Sequence, residues 1–297
     1  DEIVIVAGKG HEIYQEYDYK KNFSDKSYIK KFINKKNKIL SQDWKSNILA
    51  EITKKKIDKN IKINNATIDS RNTKKNNIFF GIKGKNFDGN NFVNQALNKG
   101  ASISICDKKL RYKIKNRIYV KNSLKTFSES AKLIRISSDI SCVAITGSAG
   151  KTSLKEMLGQ MISKLCPTYY SKKSFNNKYG VPISLFNITK EDKIGIFEVG
   201  MDKRGEIDFL TKKILPNVGV ITNISFAHIK NFKNLRGIAK AKSEIMNNIV
   251  EGGTIVLNSD DKFFNFFKIK SIKKKLKIIS FGIKNKSNIK MTKLKKR

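Results

Sequence analysis

The chain has 297 residues, of which 39% are hydrophobic, and this excludes wholesale disorder and leaves room for two domains. The formal net charge of +37 would suit a nucleic-acid partner, but only seven of the 62 basic residues are arginine, and the lysines are spread along the chain. We therefore expect no specific nucleic-acid binding. No run of about 18 apolar residues indicates a membrane span, and the three widely spaced cysteines are typical of reduced thiols. The sequence predicts a monomeric, cytoplasmic protein.

The first 36 residues are predicted to be separate from the rest of the chain. Residues 2–7 form an apolar run that predicts a strand ending in a glycine turn. Ser24 precedes apolar residues at helical spacing up to Ile33, and the polar run 34–38 indicates a linker. Since Asp1 stands directly before the strand, we expect the chain to be a piece of a longer one.

A small α/β domain is predicted after the linker, over residues 37–139. Its expected elements are a helix, two short strands on either side of a basic turn, a second helix and a third strand, at 48–52, 65–69, 77–80, 92–99 and 101–106.

Strands and helices alternate over residues 140–297, and this pattern predicts a parallel sheet with helices on both faces. The predicted strands are 141–146, 194–199, 218–222, 254–258 and 277–281, and the predicted helices are 151–165, 205–213 and 235–250. Ligands of such sheets bind at the carboxyl ends of the strands.

One loop points to a nucleotide. Gly147-Ser-Ala-Gly-Lys-Thr152 follows an apolar strand and opens a helix, so its backbone amides can approach phosphate oxygens and the helix dipole favours an anion. We expect Lys151 to contact the outer phosphates and the Thr152 hydroxyl to bind magnesium. Ile145 stands where a longer phosphate-loop pattern has glycine.

Other candidates lie at the same predicted sheet edge. Glu198 ends a strand and is placed to bind magnesium, although strand-end carboxylates often only face solvent. His228 follows the strand 218–222 on the same edge. Asn176 and Asn177 begin a segment that reaches Pro182, which we interpret as a turn; turn chemistry explains these asparagines as well as substrate binding does.

Taken together, these pieces resemble the Mur ligases, ATP-dependent amide-forming enzymes of peptidoglycan synthesis, and in particular the members that add D-alanyl-D-alanine. The matching segments are Thr-Gly-Ser-Ala-Gly-Lys-Thr-Ser at 146–153, Asn-Asn-x-x-Gly-Val-Pro at 176–182, Glu-Val-Gly-Met at 198–201, Ala-Lys-Ala-Lys-Ser-Glu-Ile at 239–245 and Val-Leu-Asn-Ser-Asp-Asp at 256–261. In a lysine-rich chain, Lys240 and Lys242 would otherwise be read as solvated; the resemblance matches Lys242 to a lysine that several members carboxylate.

The preceding region resembles the UDP-sugar-binding domain of the same enzymes. Its matching segments are Asp-Ser-Arg at 69–71, Ile-Phe-Phe-Gly-Ile-Lys-Gly at 78–84 and Phe-Asp-Gly at 87–89. Asn90 stands where histidine is usual. Residues 1–36 are similar to the end of a diaminopimelate-adding Mur ligase, by the pattern Val-Ala-Gly-Lys-Gly-His-Glu at 6–12, so the resemblance implies a fused bifunctional enzyme.

The resemblance implies a small UDP-sugar-binding α/β domain followed by a P-loop-type ATPase domain, with the family's third domain absent. It implies ATP and Mg²⁺ as cofactors and a UDP-N-acetylmuramoyl-tripeptide and D-alanyl-D-alanine as substrates, joined through an acyl phosphate. The implied ATP site is Gly147, Ser148, Ala149, Gly150, Lys151, Thr152, Ser153 and Asn258. The implied substrate site is Ser70, Arg71, Lys83, Asp88, Gly89, Asn176, Asn177 and Arg204, and the implied metal ligands are Thr152, Glu198 and His228, with Lys151, Glu198, His228 and Lys242 as catalytic residues.

Four alternatives stay open at this point. The chain could be another Mur-type ligase or a relative of folylpolyglutamate synthase, which shares the central domain; the pattern at 69–89 argues against the latter. It could also be a basic nucleic-acid-binding P-loop protein, for which DNA binding would depend steeply on salt. The fourth alternative is a structural remnant without activity.

Overall fold

A computed structural model describes residues 14–16, 20–22, 44–58, 60–109, 114–171, 174–226, 231–232, 234–284 and 286–291. The strand expected at 2–7, the helix expected after Ser24 and the linker at 34–38 lie outside the described residues, as does His228. Near the amino terminus the described backbone forms an antiparallel pair of strands, β1 (Tyr14–Glu16) and β2 (Lys20–Asn22).

The first large unit is a four-stranded parallel sheet with short helices. Helix α1 (Trp44–Thr53) precedes strands β3 (Asn65–Thr67) and β4 (Asn77–Gly81), helix α2 (Val93–Asn98), and strands β5 (Ala101–Cys106) and β6 (Arg117–Tyr119), with 3₁₀ turns at Ser70–Asn72 and Gly89–Phe92. The strand order is β3-β4-β5-β6. The small α/β arrangement predicted here is confirmed.

Helix α3 (Ser123–Ser137) joins this sheet to the next, and the sequence analysis missed it. Asn122 caps its amino end by accepting a hydrogen bond from the Lys125 amide at 2.8 Å. Apolar side chains at Phe127, Ala131 and Ile134 recur at helical spacing and are fully buried. A cap followed by that spacing is a signal that could have found the helix.

The second unit is a seven-stranded sheet, order β13-β12-β11-β10-β7-β9-β8, in which every paired strand is parallel. Its strands are β7 (Ser141–Thr146), β8 (Thr168–Tyr170), β9 (Ile194–Glu198), β10 (Val218–Ile221), β11 (Thr254–Asn258), β12 (Lys277–Gly282) and β13 (Ile289–Lys290). Its helices are α4 (Lys151–Ile162), α5 (Gly180–Phe186), α6 (Glu206–Ile214), α7 (Leu235–Lys242) and α8 (Phe264–Lys273). The predicted doubly covered parallel sheet is confirmed.

Alternating side chains explain why both faces are covered. Along β7, Ile145 points to the cluster that includes Leu154 and Leu158 of α4, whereas Cys142 and Ala144 point to the larger core on the opposite face. A strand buried on both faces reads as a continuous apolar run, which is the pattern that predicted it.

Two predicted details are wrong. The segment ending at Pro182 is not only a turn, because helix α5 begins at Gly180 and extends to Phe186; proline is accepted because it lies in the first turn, where its missing N–H costs no hydrogen bond. The helix expected over 235–250 ends at Lys242 and continues as a 3₁₀ turn, Ser243–Asn247.

The two units share one hydrophobic core. Phe80 of β4, Phe127 of α3 and Phe186 of α5 pack together, with ring centroids 4.7 to 6.1 Å apart. Arg135 of α3 donates to the carbonyl oxygens of Ile214 and Leu215 at 2.7 and 3.1 Å. These contacts fix the first sheet against the second. No described helix is long and apolar enough to cross a membrane.

Candidate nucleotide and substrate site

The loop between β7 and α4 lies at the point where the strand order reverses. Strand β7 has β9 on one side and β10 on the other, and the three carboxyl ends form the crevice in which such sheets bind ligands. Gly150, with φ of +79°, precedes α4, and Gly147 has φ of +152°. A side chain at Gly147 would lie 1.8 Å from the Thr222 hydroxyl oxygen, so only glycine fits.

Residues after β10 hold this loop. The Ser148 amide donates to the carbonyl oxygen of Asn223, and the Ala149 amide donates to the Asn223 side chain, both at 3.0 Å. The Thr222 hydroxyl donates to the Ala149 carbonyl at 2.6 Å. Neither Thr222 nor Asn223 was among the predicted site residues. The first amides of α4 have no acceptor within the helix, as at every helix amino terminus, and are suited to hold phosphate oxygens.

Two lysines converge on the same carbonyl oxygen. The ammonium groups of Lys151 and Lys242 each donate to the Gly147 carbonyl at 2.9 Å. Lys242 is only 1% exposed, and its burial, together with the neighbouring Lys151 charge, lowers the pKa of its side chain to about 7. Lys240 is exposed, as expected for a solvated position. Burial distinguishes the two, and sequence spacing does not.

Glu198 joins the loop to the segment before α5. Its carboxylate accepts a hydrogen bond from the Thr152 hydroxyl at 2.8 Å and another from the Asn176 side-chain amide at 2.8 Å. Glu198 is only 2% exposed. The predicted neighbours Lys151, Thr152 and Glu198 therefore come together at one sheet edge, with Asn176 beside them.

The hydroxyl of Thr152 and the carboxylate of Glu198 are a donor set that suits magnesium. Magnesium in nucleotide sites takes one or two protein oxygens and fills its remaining positions with water and phosphate. Among the described residues, there is no group of three or more His, Cys, Asp or Glu side chains that could hold a metal ion.

The other predicted ligands of this edge have structural partners. Asn177 accepts from the amides of Tyr179 and Gly180 at 3.0 Å, which satisfies two backbone donors where helix α5 begins. The Asn258 side chain donates to the Thr222 carbonyl at 3.3 Å and accepts from the Asp260 amide. Ser153 and Arg204 are exposed.

A cavity of about 620 Å³ opens on this edge, and we call it the loop cavity. Lys151, Asn176, Glu198, Arg204 and Lys242 line it. Gly205 also lines the cavity, and its amide donates to the Glu244 carboxylate at 2.8 Å, which anchors the start of α6.

A second cavity, of about 770 Å³, lies on the first sheet, and we call it the first-sheet cavity. Ser70, Arg71 and Gly89, all predicted substrate residues, line it. Arg71 forms a two-pronged ion pair with Asp69, at 3.0 and 2.9 Å, and this pairing holds the pKa of the Asp69 carboxyl below its usual value.

The segment at 83–90 forms one wall of this cavity. Lys83 pairs with Asp88 in an isolated antiparallel bridge. The Asp88 carboxylate accepts from the Asn90 amide and side chain, and Asn90 also donates to Asp107 at 2.8 Å. Asn90 is therefore buried, and its side chain links two loops by hydrogen bonds and is not exposed to a ligand. It is the residue at which the chain departs from the family pattern.

The fold and the loop define a nucleotide-binding α/β protein with an adjoining cavity. The Mur ligase middle domain matches residues 145–297, and the Mur ligase family catalytic domain matches residues 62–139. The chain belongs to the Mur ligase family.

Individual relatives agree. The UDP-N-acetylmuramoyl-tripeptide–D-alanyl-D-alanine ligase of Buchnera aphidicola subsp. Baizongia pistaciae is 35% identical over 230 residues, which are 77% of this chain and 50% of that protein. The structure of UDP-N-acetylmuramoylalanyl-D-glutamyl-2,6-diaminopimelate–D-alanyl-D-alanyl ligase from Acinetobacter baumannii has a TM-score of 0.75 at 30% identity, over 84% of this chain and 55% of that one. MurF ligase from Thermotoga maritima in complex with ADP has a TM-score of 0.66 at 26% identity, over 77% of this chain and 52% of that one. The chain thus spans about half the length of these relatives.

Proposed function

We propose that this chain supplies the UDP-sugar-binding and ATP-binding parts of a cytoplasmic ligase that joins D-alanyl-D-alanine to a UDP-N-acetylmuramoyl-tripeptide. The observation on which the proposal chiefly rests is that the loop cavity and the first-sheet cavity adjoin, sharing Lys178 and Tyr179 in their walls. A substrate with a nucleotide at one end and a carboxylate at the other can therefore occupy both. The names of the relatives state the same substrates for those proteins.

The first step is the activation of a carboxylate. An oxygen of the substrate carboxylate attacks the γ-phosphorus of ATP, the bond to the β-phosphate oxygen breaks, and ADP leaves with that electron pair. Lys151 and the amides at the start of α4 hold the phosphates and neutralise the charge that spreads over the transferred group. Thr152 and Glu198 would hold magnesium, which supplies further charge neutralisation when bound.

The second step forms the amide. The amine of D-alanyl-D-alanine attacks the carbonyl carbon of the acyl phosphate, the tetrahedral intermediate collapses, and phosphate leaves while the nitrogen loses a proton. Arg204 lies at the loop cavity and can contact an anionic substrate group. The predicted second metal ligand, His228, lies outside the described residues and stays a prediction.

Lys242 has a further part in the proposal. With a pKa of about 7, a large share of its side chain is neutral at physiological pH, and a neutral amine can bond to the carbon of CO₂ and lose a proton to give an anionic carbamate. Such a carbamate would place a negative charge beside Lys151. This supports the resemblance-based expectation that Lys242 is carboxylated.

We also infer that residues 1–36 are the end of a diaminopimelate-adding ligase, fused ahead of the ligase parts. The similarity of residues 6–12 to that enzyme supports the inference. Sequencing the coding region upstream of Asp1 tests it: an open frame encoding a second Mur ligase is expected, and an unrelated frame or a stop codon would contradict it.

Calorimetric titration of the chain with ATP–magnesium and, separately, with UDP-N-acetylmuramoyl-tripeptide tests the proposed function. We expect both ligands to bind. Lys151→Ala should weaken ATP binding alone, and Arg71→Ala should weaken tripeptide binding alone. The matched control is Lys125→Ala, at an exposed position on α3. A folded chain that gives heat with neither ligand would refute the proposal.

A further inference from the structure

Two adjacent residues, Lys178 and Tyr179, form the boundary between the two cavities. They are the only residues that line both the loop cavity and the first-sheet cavity among the linings of these two sites. Lys178 is exposed and its ammonium lies 5.1 Å from the centre of the Tyr179 ring. Any ligand that extends from one cavity to the other must pass this pair.

Hydrogen bonds on either side of the pair hold its backbone in place. Asn177 accepts from the amides of Tyr179 and Gly180, and Asn176 is held by Glu198. A rigid backbone that presents two side chains to a ligand is an arrangement suited to selecting among substrates.

The charge around the pair determines what it would select. In the first-sheet cavity, the one acidic lining residue, Asp69, is paired with Arg71 at 2.9 Å, and Lys85 adds a further positive charge. The loop cavity is lined by four cationic and three acidic residues, Lys151, Lys178, Arg204, Lys242, Glu198, Asp202 and Glu206. Glu198 accepts from Thr152 and Asn176, and Glu206 accepts from the backbone amides of Asp202 and Lys203. Of the two boundary residues, Lys178 carries the charge. An anionic group on a ligand is therefore favoured there and a second cationic group is disfavoured.

Building on the proposed function, we propose that Lys178 and Tyr179 select the side chain of the substrate's third peptide residue, the one that bears the activated carboxylate. With the nucleotide end in the first-sheet cavity and the activated carboxylate beside Lys151, this side chain falls within the loop cavity, whose lining includes Lys178 and Tyr179. Lys178 favours a side chain that carries a carboxylate over one that carries an ammonium alone. Tyr179 supplies a flat apolar contact for its methylene groups.

A comparison of two substrates measures the contribution of the Lys178 charge to this selection. A tripeptide ending in diaminopimelate and one ending in lysine differ by a single side-chain carboxylate. An exposed ion pair contributes up to about 1 kcal/mol, which corresponds to about a fivefold difference in Kd. We therefore expect the wild-type chain to bind the diaminopimelate tripeptide about fivefold more tightly in calorimetric titrations at low salt.

Charge reversal at Lys178 is the decisive variant. Lys178→Glu should reverse the preference, Lys178→Gln should abolish it, and 0.5 M salt should reduce it in the wild type. Tyr179→Ala should weaken the binding of both tripeptides and leave the ratio of their Kd values unchanged. Lys125→Glu, the matched control, should keep the wild-type ratio.

The outcomes distinguish this inference from the proposed function. If both tripeptides bind and Lys178→Glu leaves the ratio of their Kd values as in the wild type, the inference that Lys178 selects the substrate is wrong. The proposed function would still stand. If neither tripeptide binds a folded wild-type chain, the proposed function fails and this inference with it. Circular dichroism verifies that each variant is folded, and because Lys178 is exposed, Lys178→Gln gives an independent reading if the charge-reversed chain is unstable.

Discussion

Lys45 connects the two units from a buried position, and its replacement by methionine should change how stability depends on pH. The Lys45 ammonium donates to the carbonyl oxygens of Asn64, next to β3, and Phe186, the last residue of α5, each at 2.5 Å. The residue is 5% exposed, and its burial lowers the pKa of the side chain from 10.5 to about 8. Methionine fills a similar volume without a charge or a donor.

The size of the effect follows from this difference in pKa. A fall of about 2.5 pKa units corresponds to about 3 kcal/mol. Below pH 8 both the folded and the unfolded chain hold the proton. Between pH 8 and 10.5 the folded chain releases it first, so the unfolded chain binds more protons and the free energy of unfolding rises with pH. This contribution of Lys45 is complete above pH 10.5 and is lost as the pH falls through 8.

Denaturant unfolding at pH 7 and pH 10 measures this contribution. The difference in unfolding free energy between the wild type and Lys45→Met should grow by about 2 to 3 kcal/mol in favour of the wild type over that interval. Lys125→Met, at an exposed lysine, should show no such growth. A constant difference between wild type and Lys45→Met would show that Lys45 is not held in a desolvated position, and the described joint between the units would then be wrong.

Three further predictions concern the site. Glu198→Gln should reduce ATP affinity at least tenfold with magnesium present and little without it, as measured by calorimetry, because the carboxylate is the expected metal ligand; an equal loss in both conditions would argue against that role. Lys242 should give a carbamate signal in ¹³C NMR with labelled bicarbonate, stronger at pH 8 than at pH 6 because the neutral amine reacts; a signal that persists in Lys242→Met would assign it elsewhere. Asn90→Ala should lower the free energy of unfolding by about 2 kcal/mol in urea, because Asn90 is buried and the Asp88 and Asp107 carboxylates lose the hydrogen bonds from its side chain; an unchanged midpoint would contradict its structural role.

Local signals predicted the elements that place the site. The phosphate loop could be predicted because glycine, lysine and threonine have specific backbone and chemical roles there, and β7 could be predicted because both its faces are apolar. Helix α5 was misread because Gly180 and Pro182 resemble turn residues, and only the packing of its apolar residues against α3 makes a helix of them.

Burial and contacts between distant segments determine the environments of several lysines, and these could not be predicted from local sequence. Lys240 and Lys242 are equivalent by residue type, and apart from the family resemblance only burial against the core distinguishes Lys242, beside the loop, from the exposed Lys240. Lys45 has no local pattern, because its two acceptors lie 19 and 141 residues away. The boundary formed by Lys178 and Tyr179 arises from the packing of two sheets, which no short segment encodes.

The central claim is that the loop cavity activates a carboxylate delivered from the first-sheet cavity. A crystal structure of the chain with magnesium, a non-hydrolysable ATP analogue and UDP-N-acetylmuramoyl-tripeptide tests it most directly. We predict the uridine nucleotide beside Arg71, the γ-phosphate at Lys151, and the terminal carboxylate within about 3.5 Å of the γ-phosphorus, the separation that precedes reaction. A tripeptide bound with its carboxylate away from the phosphate loop, or an ATP analogue bound elsewhere, would contradict the account.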